Sequence, residues 1–139
     1  MTEHRPYSRA LDRLRAVGLR PTRQRLALAK LLFDGGDRHV TAEQLHDEAL
    51  EADMRVSLAT VYNALHQFTS AGMLREVVVE SGRAYFDTNT SAHHHFYHVA
   101  DGRLEDIAGD RLSVATLPPP PAGTSVERVD VIIRVKGGR

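Results

Sequence analysis

Apolar residues recur at helical steps of three and four through the first half of the chain, then alternate. Leu11, Leu14 and Val17 share one side of a helix predicted over residues 7–17, with Arg9, Arg13 and Arg15 elsewhere, and Gly18 stops it. Thr22 can cap a second helix over residues 23–33, which ends at Gly35 and Gly36. Thr41 with Gln44 makes a capping box for a third over residues 42–52. Ser57 caps a fourth, whose stripe is Leu58, Val61, Leu65 and Phe68 and whose end is Gly72. Residues 74–80 and 83–87 then read as two strands joined at Ser81 and Gly82, with Val77, Val79, Tyr85 and Phe86 as β-favouring bulk.

Residues 88–92 are a polar linker, so the pattern predicts one domain over residues 1–88 and a second over residues 93–139. In the second, residues 93–107 read as a hairpin turning at Asp101 and Gly102. Pro118 to Pro121 form an extended connector. Residues 125–135 alternate, with Val129, Val131, Ile133 and Val135 on one face of a final strand. The expected fold class is α+β: helices followed by a hairpin, the order of a winged helix-turn-helix, and then a small antiparallel-sheet domain. Three strands in so short a segment bury little alone. Pairing with a second copy, a homodimer, answers that need; packing on the chain's own helices is the alternative.

The fourth helix carries its chemistry on the face away from the stripe: Ala59, Thr60, Asn63, His66, Gln67 and Ser70, with no acid among them. A helix bedded by one face and offering neutral hydrogen-bonding groups by the other suits a major groove of double-stranded DNA. An amphipathic helix that merely packs has the same stripe; the hairpin after it and the polarity of the outer face favour the groove. Net charge is zero, yet residues 1–38 hold nine Lys/Arg against four acids, a local excess compatible with phosphate binding. Arg83, beside the hairpin turn, can meet a phosphate or simply stand at the surface.

The chain has no cysteine, which excludes disulfides and thiolate zinc sites. No apolar run is long enough for a membrane span and the N-terminus has no apolar core of a signal peptide, so a cytoplasmic location is expected. His4, His46 and His66 are isolated and read as surface or core residues. His93, His94, His95 and His98 fall together. On a strand, His93 and His95 face one way and His94 and His98 the other. Paired imidazoles can ligate one ion, with Asp87 and His39 as nearby further donors; such a set suits zinc, iron(II) or manganese, and imidazole also serves haem.

The residues resemble the ferric uptake regulator (Fur) family of bacterial metal-responsive transcription factors. The resemblance rests on GLRPTRQR from Gly18, HVTAEQL from His39, SLATVYNAL from Ser57, YFD from Tyr85 and HHH from His93. HHHFY and the tail VDVIIRV are similar to the iron response regulator (Irr) branch. The resemblance implies a regulator of iron and haem homeostasis that binds AT-rich operators as a dimer, with occupancy governed by haem or metal at the histidines. It implies DNA contacts from Tyr62 to thymine methyls, from Asn63 to bases or phosphate, from Arg25 to the backbone and from Arg20 to the minor groove. Ser57, Ala59 and Thr60 at the helix start complete the expected DNA-binding set with Arg83. For metal the resemblance implies His39, Asp87 and His95, joined here by His93; for haem, His93, His94 and His95. The family follows HHH with DHL where this chain has Phe96, Tyr97 and His98, so the fourth ligand is either Tyr97 or His98. A zinc, manganese or peroxide sensor of the same family is the sibling reading. A haem- or metal-binding protein or metalloenzyme that does not read DNA is the rival, and no HExxH or nucleophile motif supports it.

Overall fold

The computed structural model describes residues 6–137, which form two compact units parting between Thr90 and Ser91. His4 and the outermost residues of both expected domains lie outside the described residues.

In the first unit, α1 (Ser8–Ala16) buries Ala10 and Leu14, and the chain leaves it through Gly18 at φ +74°. Val17, expected on the apolar side, is instead exposed just past the helix. α2 (Arg23–Phe33) starts where the Thr22 hydroxyl accepts the Arg25 N–H at 3.2 Å. α3 (Ala42–Glu51) has the full capping box: Thr41 Oγ1 accepts the Gln44 N–H at 3.1 Å and Gln44 Oε1 accepts the Thr41 N–H at 2.9 Å. Replacing Thr41 by alanine leaves an orphan donor and costs about 1 kcal/mol of stability. Urea denaturation checks this, and an unchanged midpoint contradicts it. α4 (Leu58–Ser70) buries Val61, Ala64, Leu65 and Phe68, while Leu58 is only half-buried at the start of the stripe. These side chains join Leu28, Leu32, Leu45 and Phe86 in one core, so α4 is fixed by its inner face and leaves its outer face available.

The hairpin is β2 (Arg75–Glu80) and β3 (Arg83–Asp87), turning at Ser81 and Gly82 with Gly82 at φ +73°. Its register shifts between Val78 and Glu80, a bulge that adds local twist. A strand the pattern did not predict, β1 (His39–Val40), pairs antiparallel with β3 and gives the order β1-β3-β2. Two residues are too few to carry a period.

The second unit contains β4 (His94–His98), β5 (Arg103–Ile107) and β6 (Ile132–Val135), in the order β5-β4-β6. β4 and β5 are antiparallel, but β6 runs parallel to β4, so this sheet is mixed rather than wholly antiparallel. The final strand is also shorter than the alternation predicts. β6 pairs with β4 from His95 to His98, the Val131 carbonyl accepts the His95 N–H at 3.2 Å, and residues 125–130 precede the ladder. Among the described residues no helix is long and apolar enough to cross a membrane.

Candidate functional site

In the first unit, α4 presents Ala59, Asn63, His66, Gln67 and Ser70 as exposed groups, with Thr60 and Tyr62 half-buried. Ser57 Oγ accepts the Thr60 N–H at 3.1 Å and donates to Thr60 Oγ1 at 2.9 Å, so these two hydroxyls hold the helix start. The Tyr62 hydroxyl donates to Glu43 of α3 at 3.2 Å, and its ring stacks near His66 at 6.3 Å. Burial, and then the Glu43 carboxylate as acceptor and as charge, push the Tyr62 phenol up from its ordinary value. It therefore stays a hydrogen-bond donor at neutral pH.

Arg25 of α2 is tied to α4: Nε and Nη2 donate to Gln67 Oε1 at 3.3 and 2.9 Å, and Nη1 donates to the Arg20 carbonyl at 2.9 Å. A surface groove of about 370 Å³ runs between them, lined by Arg20, Thr22, Gln24, Arg25, Thr60, Asn63, Ala64 and Gln67. The fold thus brings Arg20, Arg25, Thr60 and Asn63 to one place. Arg83 stands at the hairpin tip, ion-paired with Glu80 at 3.7 Å. Gln67 was named in the sequence only as part of the polar face. Its spacing of four from Asn63, on the same helical side, is the signal that it belongs with the groove.

In the same unit His39 and Asp87 are register partners of β1 and β3. Asp87 is buried and its Oδ1 accepts the Asn89 N–H at 2.9 Å. His39 is half-buried, its ring 5.8 Å edge-on from that of Tyr85.

In the second unit the histidines divide as strand alternation requires. His93 and His95 are buried with ring centroids 4.6 Å apart. Their Nε2 atoms stand 3.6 and 3.2 Å from Asp106 Oδ1. Ligand atoms from His93, His95 and Asp106 all lie within 4.8 Å of one another. Nδ1 of His93 lies 2.7 Å from the Ser91 carbonyl oxygen. A carbonyl only accepts, so Nδ1 donates to it, and this fixes the ring with Nε2 toward the carboxylate. Two imidazoles and a carboxylate at this spacing fit a single divalent ion of the zinc, iron(II) or manganese class, bound at about 2.0–2.2 Å.

Asp106 was not named in the sequence, and the register explains why. A two-residue turn at Asp101 and Gly102 would set His95 opposite Ala108. The observed turn takes residues 99–102, with the Gly102 N–H donating to the His98 carbonyl at 2.8 Å, and sets His95 opposite Asp106.

His94 faces the other side, where its Nδ1 accepts the Val131 N–H at 3.1 Å and so helps hold the approach to β6. His98 is also on that side, 3.0 Å from Glu105. The triplet therefore does not present three imidazoles to one iron. Tyr97 is buried, with the Arg134 guanidinium 5.1 Å over its ring.

Residues 16–117 match the Ferric uptake regulator family. The ferric uptake regulation protein of Cupriavidus metallidurans is 37% identical over 95 residues, which are 68% of this chain and 66% of that protein, just under two thirds of its length. The solved ferric uptake regulator of Vibrio cholerae is similar in fold, with TM-score 0.70 at 21% identity over 91% of this chain and 98% of that one. The ferric uptake regulator of Pseudomonas aeruginosa, solved with manganese, gives TM-score 0.68 at 24% identity over 94% of this chain and 98% of that one.

Proposed function

Since the chain belongs to the ferric uptake regulator family, a family of metal-responsive transcription regulators and not of enzymes, we propose that it binds operator DNA as a homodimer under the control of an iron-related ligand. The observation that carries the ligand assignment is the buried pair His93 and His95 facing Asp106 across β4 and β5. Their fit is to a divalent ion, in keeping with the manganese named for the neighbour from Pseudomonas aeruginosa. Asp87 and His39 enter as the further ligands that the family resemblance implies. Their pairing in one sheet supports that, as does the linker of only five residues between Asp87 and His93.

On the DNA side, α4 lies in the major groove with Tyr62 and Asn63 toward the bases. Arg20, Arg25 and Arg83 meet the backbone, where they supply the salt-dependent part of the affinity. The groove shared by Arg20, Arg25 and Asn63 supports this division of labour. Ser57 and Thr60 act at one remove, by holding the start of α4, while Ala59 leaves room for close approach.

Selection from a random duplex library tests the reading. The expected motif is AT-rich with two-fold symmetry, bound with a steep salt dependence that Arg25→Ala makes shallower by about one unit of slope. Recovery of no motif contradicts it. The run HHHFY supports the finer assignment to the Irr branch, with haem as the controlling iron species. For haem, replacing His93, His94 and His95 together by alanine abolishes the Soret shift on haem addition, and an unchanged spectrum removes haem from the assignment.

A further inference from the structure

The connection between β5 and β6 is far longer than its task requires. Ile107 pairs with His94 and Ile132 with His95, so the strands to be joined flank β4 at the same end. The gap is two strand spacings, about 10 Å, which three or four extended residues cover. The chain spends residues 108–131 on it. Apart from a 3-10 turn at Gly109–Arg111, that stretch has no regular secondary structure. Connections of this length without structure of their own are uncommon in compact units unless they have a task.

The composition argues against a solvated tether. Residues 112–126 contain no charged side chain, in a chain that is 26% charged. They expose Val114, Leu117 and Val126 at 44%, 47% and 52%. The four prolines hold residues 118–121 extended, and the chain turns just after them, where the Thr124 N–H donates to the Pro121 carbonyl at 3.0 Å, so the flanking apolar side chains stay exposed. The prolines also remove in advance much of the entropy that docking would otherwise cost.

A matching need sits in the same unit. β6 is an edge strand, and Ile132, Ile133 and Val135 are only half-buried. One chain therefore displays both an apolar arm and an apolar edge. In a two-fold pair each copy supplies what the other lacks, a self-complementary contact. An aromatic proline-binding groove on a different protein would engage the arm but leave β6 uncovered. The absence of charge disfavours nucleic acid or a lipid headgroup.

We propose that residues 112–126 form an arm that leaves its own protomer and lies along the β6 side of the sheet in a second copy of this chain. The proposal rests on the homodimer reading and goes beyond it by naming the exchanged segment.

The absence of cysteine makes the test direct. Leu117→Cys carries a benzophenone maleimide in the full chain; unlabelled and nitrogen-15-labelled pools are mixed, left to exchange and irradiated. The expected crosslinks join position 117 to peptides containing residues 132–135, with mixed-isotope pairs among them. Crosslinks confined to single-isotope pairs, in a chain that light scattering finds dimeric, overturn the arm alone. A chain monomeric at every concentration overturns the dimer reading with it. As a second variant, Pro118→Gly, Pro119→Ser, Pro120→Gly and Pro121→Ser together raise the dimer dissociation constant at least about tenfold. An unchanged constant overturns the proposal.

Discussion

Replacing His95 by alanine lowers the affinity for manganese(II) by at least about a hundredfold. Loss of an outer partner of a metal ligand already costs about ten- to a hundredfold, and His95 is argued to be a ligand itself. Its Nε2 is the nearer of the two imidazole nitrogens to Asp106, at 3.2 Å, and its side chain is buried and so held in place for the ion. His98→Ala is the control. It lies on the opposite face of β4 beside Glu105, and its loss leaves metal affinity within about twofold. Competition against a chromophoric chelator measures both variants, with circular dichroism to establish that each is folded. Equal losses for His95 and His98, or none for His95, contradict the site.

Tyr62→Ala lowers operator affinity by about 1–3 kcal/mol and flattens preference at one base step. The change leaves the core intact, because Val61, Leu65 and Phe68 carry the packing of α4 and Tyr62 is only half-buried. What is lost is a ring on the outer face, stacked near His66 and steadied by the hydrogen bond to Glu43. Fluorescence anisotropy across single-base operator variants reads both consequences. Identical profiles for parent and variant remove Tyr62 from the reading face.

The helices were legible because each is written twice, once as an apolar stripe and once as a cap. Thr22, Thr41 and Ser57 all accept the N–H predicted for them, and α2 runs over the expected residues. The separation of His93 and His95 from His94 and His98 was legible for a similar reason, since alternation on a strand needs only local sequence. What escaped was set by pairing between distant residues. β1 has two residues and exists only as a partner of β3. The alternation of residues 125–135 continues past the point where β4 offers a neighbour, so only Ile132–Val135 become strand. Asp106 joins His93 and His95 through the length of a turn, and a turn longer by two residues moves every cross-strand partner. The tie from Arg25 to Gln67 likewise spans two helices, and the spacing of Gln67 from Asn63 marks its side of α4 but not its partner on α2.

Control by metal requires that a cation held by the buried imidazoles bias how the chain grips a duplex. Binding to its selected operator, titrated with manganese(II) and then with excess chelator, measures this directly. The expected dissociation constant moves at least about fivefold between the two states and returns on chelation. Reciprocity requires DNA to move the metal affinity by the same factor. A dissociation constant indifferent to metal, in a protein that demonstrably binds the ion, contradicts it.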